Sequence, residues 1–142
     1  MALFRIAAML LTALLLLSCK HTDAGSTLYE ELGGRSGINQ IVDNFITEIE
    51  YSPDIFPYFE NSDVARFHEK LSEHICMLAS GPCAYTGDTM EQVHAGMNIS
   101  ERDFNIGVDL LINAMNKANI PHTTQNKLLA TMTPTRKEII YK

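Results

Sequence analysis

Apolar residues recur along this chain with a helical period. Ile38, Ile41, Val42, Phe45, Ile46 and Ile49 fall at i, i+3, i+4, i+7, i+8 and i+11, which puts them on one stripe and predicts an amphipathic helix with a single buried face. That helix stops before Pro53, because proline disfavours helical geometry in the residue ahead of it and has no N–H to donate. Upstream, Thr27 is placed to cap a short helix through Leu32, which Gly33 and Gly34 end. Downstream, Asp63 caps a third predicted helix reaching Ser80, with Val64, Phe67, Leu71, Ile75 and Leu78 inward and Gly81 and Pro82 as terminators. A short segment follows in which Met90, Val93 and Met97 stand at helical spacing about His94 and Gly96 ends the turn. Ser100 and Asp103 form a capping-box variant before the next long helix, traced by Phe104, Val108, Leu111, Met115 and Ala118 and broken over Asn119 to Pro121. Leu128, Leu129 and Met132 mark a last helix, which Pro134 divides before Ile139 and Ile140. No strand-like alternation of useful length occurs, so the fold class is all-α.

The N-terminus follows a different rule. Arg5 precedes an apolar run over residues 6–17, too short to span a bilayer comfortably, and Ser18 and Cys19 follow. The expectation is an export signal over residues 1–18, a polar linker over 19–26 and one folded domain over 27–142. Leu16, Leu17, Ser18 and Cys19 resemble a bacterial lipoprotein processing site, which implies lipidation of Cys19; a plain secretory signal or an uncleaved anchor is the alternative. Lys20 is not the aspartate associated with inner-membrane retention, so the lipoprotein reading places the protein in the periplasm, anchored to the outer membrane.

Composition narrows the function. The chain has 142 residues, 46% hydrophobic, with a formal net charge of −6, enough for one core but lacking the clustered cations that a nucleic-acid partner requires. With Cys19 assigned to a lipid, Cys76 and Cys83 remain. In an oxidising compartment they are a disulfide candidate, although two separate buried thiols fit the sequence as well. Between Pro53 and Phe59 the chain is irregular and aromatic, with Phe56, Tyr58 and Phe59 beside Pro57. Such a corner packs against something broad and flat, or folds onto its own core.

His94 carries the chemistry. Its apolar neighbourhood favours the neutral imidazole, the form with a lone pair for a metal. From the residues alone it is either a metal ligand or a hydrogen-bonded core histidine.

Several separated features coincide with one family. Gly33-Gly34 after a short first helix, the aromatic corner ending at Phe59, Gly81-Pro82, Tyr85-Thr86-Gly87, Met90, and Gln92-Val93-His94 with Gly96 and Ile99 resemble a group 1 truncated haemoglobin. The resemblance runs from about Thr27 to at least Ala118. It implies a globin-like two-over-two helical sandwich around haem b, with His94 as proximal iron ligand and Phe59 packed on the porphyrin. Tyr85, Met90, Met97 and Phe104 are the other cofactor-binding positions it implies, although Met97 stands where relatives often carry a basic partner for a haem propionate. On the distal side, Ile46 occupies the family's tyrosine position, and Phe67 and Leu71 occupy positions that are often polar. Lys70 matches a position that pairs with a propionate or supplies a sixth iron ligand. His68 is a further polar residue that could reach in but points off the apolar stripe and reads as a surface histidine, and His74, beside Leu71 and Leu78, is either a hydrogen-bonded core histidine, the preferred reading, or lines the ligand channel.

Three functions compete. The first is reversible binding of a diatomic gas (O2, NO or CO) in the cell envelope, for oxygen binding or transport or for NO-related chemistry. The second is an enzyme on the same fold, a nitric oxide dioxygenase or peroxidase served by a reductase; the apolar distal set argues against the stable oxygen complex that dioxygenation requires. The third is a haem-free helical lipoprotein acting as a binding module.

Overall fold

A computed structural model describes residues 25–142; the export signal, Cys19 and the first part of the linker lie outside them. Six α-helices follow in order: α1 (Leu28–Glu31), α2 (Gly34–Glu50), α3 (Val64–Leu78), α4 (Met90–His94), α5 (Glu101–Lys117) and α6 (His122–Met132). Short 3-10 turns occupy Phe56–Tyr58 and Thr133–Glu138. Among the described residues there is no strand beyond one isolated bridge, Ile99 to Ile140, and no helix is long and apolar enough to cross a membrane.

The helix ends are built by the residues the periodicity singled out. Thr27 caps α1 reciprocally with Glu30, Asp63 caps α3 through the Arg66 amide, and Ser100 caps α5 through the Asp103 amide; each satisfies an orphan N–H of a first turn. The junction of α1 and α2 requires glycine twice. Gly33 has φ +84°, and a Cβ on Gly37 would stand 2.0 Å from the Leu32 carbonyl oxygen, so any other residue there forces α1 away from α2. Pro134 divides the last helix, and Thr133–Glu138 continues as a 3-10 turn.

α2 is the central element, packing against both α5 and α3, while α3 also reaches α6. Ile38, Ile41 and Val42 of α2 are fully buried against Ile75 of α3, Met115 of α5 and Leu128 of α6. Each such side chain contributes about 1.5–3 kcal/mol by leaving water. One inward assignment fails. Val64, the first residue of α3, is 57% exposed.

Cys76 and Cys83 are joined in a disulfide with Cα atoms 5.9 Å apart. The unbroken helix that would hold two thiols apart ends at Leu78, Ser80 takes φ 59°, and the chain turns back on Cys76. Gly81 packs so closely there that a Cβ would lie 2.6 Å from the Cys76 sulfur. The bridge therefore staples the end of α3 to the connection that carries Tyr85 and Thr86.

Candidate functional site

α4 is only five residues long and is fixed from both sides. Thr89 and Gln92 close a capping box at its start. At its end the chain turns through Gly96 at φ +81° and Asn98 at φ 48°, and the last residues of the chain hold it in place. The Asn98 amide donates to the Lys142 carbonyl at 2.8 Å, and the Tyr141 amide donates to the Ile99 carbonyl at 3.0 Å. Lys142 also pairs with Glu91 at 3.2 Å.

This scaffold fixes the His94 ring. Its Nδ1 lies 2.7 Å from the Met90 carbonyl oxygen, and a carbonyl only accepts, so Nδ1 carries the proton and donates. The lone pair then resides on Nε2. Burial pushes the imidazole below its ordinary pKa of 6.5, a shift that the Met90 carbonyl only partly opposes. His94 is thus a neutral, oriented imidazole on a cavity wall, the preparation a metal-ligating histidine needs.

The cavity has a volume of about 410 Å3 and lies between α3, α4, α5 and the end of α6, within the range of ~300–1,000 Å3 typical of cofactor sites. Its wall is mostly apolar. Phe59 and Phe67 meet edge to face with centroids 4.9 Å apart, and Phe104 closes the α5 side under the Arg136 guanidinium, 5.5 Å from the ring centroid.

Polar groups collect at its edges. The Tyr58 hydroxyl donates to Asp103 at 2.9 Å, and the Ser100 hydroxyl donates to the same carboxylate at 2.8 Å. These bonds, Ser100 first, hold the Asp103 carboxyl below its usual range. On α3, Lys70 donates to Glu69 at 2.7 Å and to the Thr86 hydroxyl at 2.6 Å, and it pairs with Glu73 at 3.4 Å. Glu69 first, with Glu73 adding to it, raises the Lys70 pKa. Lys70 is an ammonium held in an acceptor network, and its lone pair is not free for a metal.

The structure brings most sequence-predicted site residues together. His94, Phe59, Tyr85, Met90, Phe104, Phe67, Leu71 and Lys70 all border the cavity. Ile46 and Met97 do not: Ile46 packs against the core cluster, and Met97 is not in the lining, although Ile99, two residues on, is. His68 is half-buried, 3.1 Å from Asp43. His74 takes the second of its two readings and not the preferred one. It is 8% exposed, lines the cavity and has an aromatic neighbour in Tyr85, with centroids 5.0 Å apart. Sequence reasoning missed Tyr58 and Asp103 as a pair, and Arg136. Asp103 was legible only as a cap, and Arg136 was hidden behind Pro134, which hid the turn that returns it to the cavity.

A family model for bacterial-like globins matches residues 27–141. The chain belongs to the bacterial-like globin family. Its curated relatives include a group 1 truncated haemoglobin of Mycolicibacterium paratuberculosis, 27% identical over 80% of this chain and 84% of that protein. Another, from Nostoc sp., is 33% identical over 56% of this chain and 67% of its own length. Among solved structures, the Fe(III) form of the truncated haemoglobin from Tetrahymena pyriformis superposes with a TM-score of 0.79 at 25% identity, covering 82% of this chain and all of that one. The 2/2 haemoglobin from Synechococcus sp. in the cyanomet state, with covalently attached haem, gives 0.75 at 16% identity. That likeness concerns the fold alone, and it agrees with the two-over-two arrangement.

Haem b is the cofactor of this globin family, and the cavity fits it on its own terms. A neutral imidazole with a free Nε2 stands on one wall, and the aromatic side chains Phe59, Phe67 and Phe104 supply the apolar surface a porphyrin requires. In this globin His94 would hold the iron. Met90 and Val93, on the same helix, border the cavity beside it.

Proposed function

We propose that this globin reversibly binds a diatomic gas at haem held by His94, in an exported, envelope-located protein. The observation that carries the reading is the 2.7 Å bond between His94 Nδ1 and the Met90 carbonyl, which fixes the tautomer whose Nε2 faces outward to a metal. Haem supplies an iron centre with which a gas can exchange; the chain orients the imidazole on one side and presents the side chains of α3 on the other. Phe67 and Leu71 have no donor to offer a gas with partial negative charge, and the nearby Lys70 is bound to Glu69 and Thr86. Oxygen therefore leaves quickly, whereas carbon monoxide, which depends less on a donor, is held.

Export is supported by the N-terminal sequence pattern and by the Cys76–Cys83 disulfide, a bond that persists in oxidising compartments. The test of function is gas exchange on the reduced haem-loaded protein. The expected result is fully reversible carbon monoxide and oxygen spectra, with oxygen dissociation slowed about five- to tenfold in Leu71→Gln, the worth of one added hydrogen bond. No spectral change on adding either gas would refute the reading.

A further inference from the structure

Apart from the Nε2 of His94, the free polar group of the cavity among the described residues is His74. Tyr58 and Asp103 are bonded to each other, Lys70 to Glu69 and Thr86, and Tyr85 to the Asp88 carbonyl. Thr133 and Thr135 donate to carbonyls of Leu129 and Met132, and Arg136 pairs with Glu101 at 3.3 Å. Among the described residues His74 has no such partner, although it is more than nine-tenths buried and borders the cavity. Its ring nitrogens are not sealed in the core, since among the described residues the buried side-chain N or O atom left without a partner is Ser72 Oγ; they open onto the cavity, where a group that fills it can accept a bond from His74.

The place of His74 indicates which part of that occupant it meets. It stands one helical turn beyond Lys70 on α3, and its ring lies against Tyr85 in the connection whose next residue, Thr86, bonds Lys70 and Glu73. His74 thus shares the α3 side of the cavity with Lys70 and Tyr85. An anion arriving there finds Lys70 already shared between two carboxylates. On the α3 side of the cavity the donor left unengaged is the His74 imidazole. Haem carries two carboxylates on its edge, and a charge-assisted hydrogen bond from a buried N–H is among the stronger ones available.

We propose that His74 donates a hydrogen bond to a carboxylate of the bound haem and so positions the macrocycle in the cavity. The inference rests on the haem-binding reading above, and its test separates the two. The rate of haem transfer from the ferric protein to an excess of acceptor apoglobin is measured for wild type, His74→Phe, His74→Leu and His74→Gln. Each is loaded either with haem or with haem dimethyl ester, whose carboxylates are blocked. With haem, both donorless variants lose the group about tenfold faster than wild type, and Gln, which keeps a donor, recovers part of the difference. With the ester, that tenfold gap closes, which a purely structural role for His74 would not produce. Equal variant-to-wild-type ratios for the two porphyrins would overturn the assignment of His74 while leaving haem binding intact. A wild type that takes up neither porphyrin would overturn the haem reading, and this inference with it.

Discussion

The Nδ1 of His94 and the carbonyl oxygen of Met90 lie 2.7 Å apart, one turn distant on a five-residue helix. A helix that short is not stable by itself. Its capping box, its turn at Gly96 and its contacts with the C-terminal residues substitute for length, and they hold one imidazole in one tautomer. The consequence is an imidazole oriented and neutral without any metal to hold it.

Lys70 follows the opposite logic. Its ammonium is bound to Glu69, Glu73 and Thr86, and a lysine can ligate iron only after losing its proton. The ferric haem-loaded wild type is therefore expected to show a spectrum without a lysine ligand, and Lys70→Ala to leave the spin state unchanged. A low-spin wild type converted to high-spin by Lys70→Ala, seen by absorption or electron paramagnetic resonance, would contradict this.

Asp103 links the aromatic corner to the start of α5 through Tyr58 and Ser100. Its carboxyl pKa is depressed in the folded protein, so the unfolded chain takes up its proton first as pH falls. The contribution is complete above about pH 4 and disappears as pH drops through the depressed folded value. Asp103→Asn should be less stable than wild type near neutrality, and the gap should narrow toward about pH 3. Urea midpoints of the two proteins at both pH values test this; a gap independent of pH would refute it.

The Cys76–Cys83 bond closes a short loop at the end of α3. Chain-entropy arguments give such a loop a contribution of about 2–3 kcal/mol. Reduction should lower the wild-type melting temperature by several degrees and leave the Cys76→Ala, Cys83→Ala double variant unaffected by the reductant. Equal sensitivity of both proteins to the reductant would rule out the staple.

The helices were legible because their signals are local. Thr27, Asp63 and Ser100 act on amides three residues away, and the stripe from Ile38 to Ile49 needs only the helical period. The ligand reading of His94 rests on the resemblance that joined Phe59, Tyr85 and Gly96 to it, since one histidine among apolar residues has two readings. What stayed hidden depends on how distant segments meet. Arg136 reaches the cavity only because the chain continues as a 3-10 turn beyond Pro134. His74 shares a helical face with Leu71 and Leu78, and periodicity cannot distinguish a face that meets core from one that meets a cavity. Ile46 illustrates the converse: it matched a distal position, yet its side chain joins the core cluster.

The central claim is that His94 holds haem iron, and absorption spectroscopy of the haem-reconstituted protein in ferric, ferrous and carbonmonoxy forms tests it most directly. Wild type is expected to bind one haem with a Soret band that shifts on reduction and again with carbon monoxide. His94→Ala is expected to lose the band or shed the haem, and His94→Gly to regain a histidine-like spectrum on adding imidazole. Stoichiometric haem binding with unchanged spectra in His94→Ala would contradict the account.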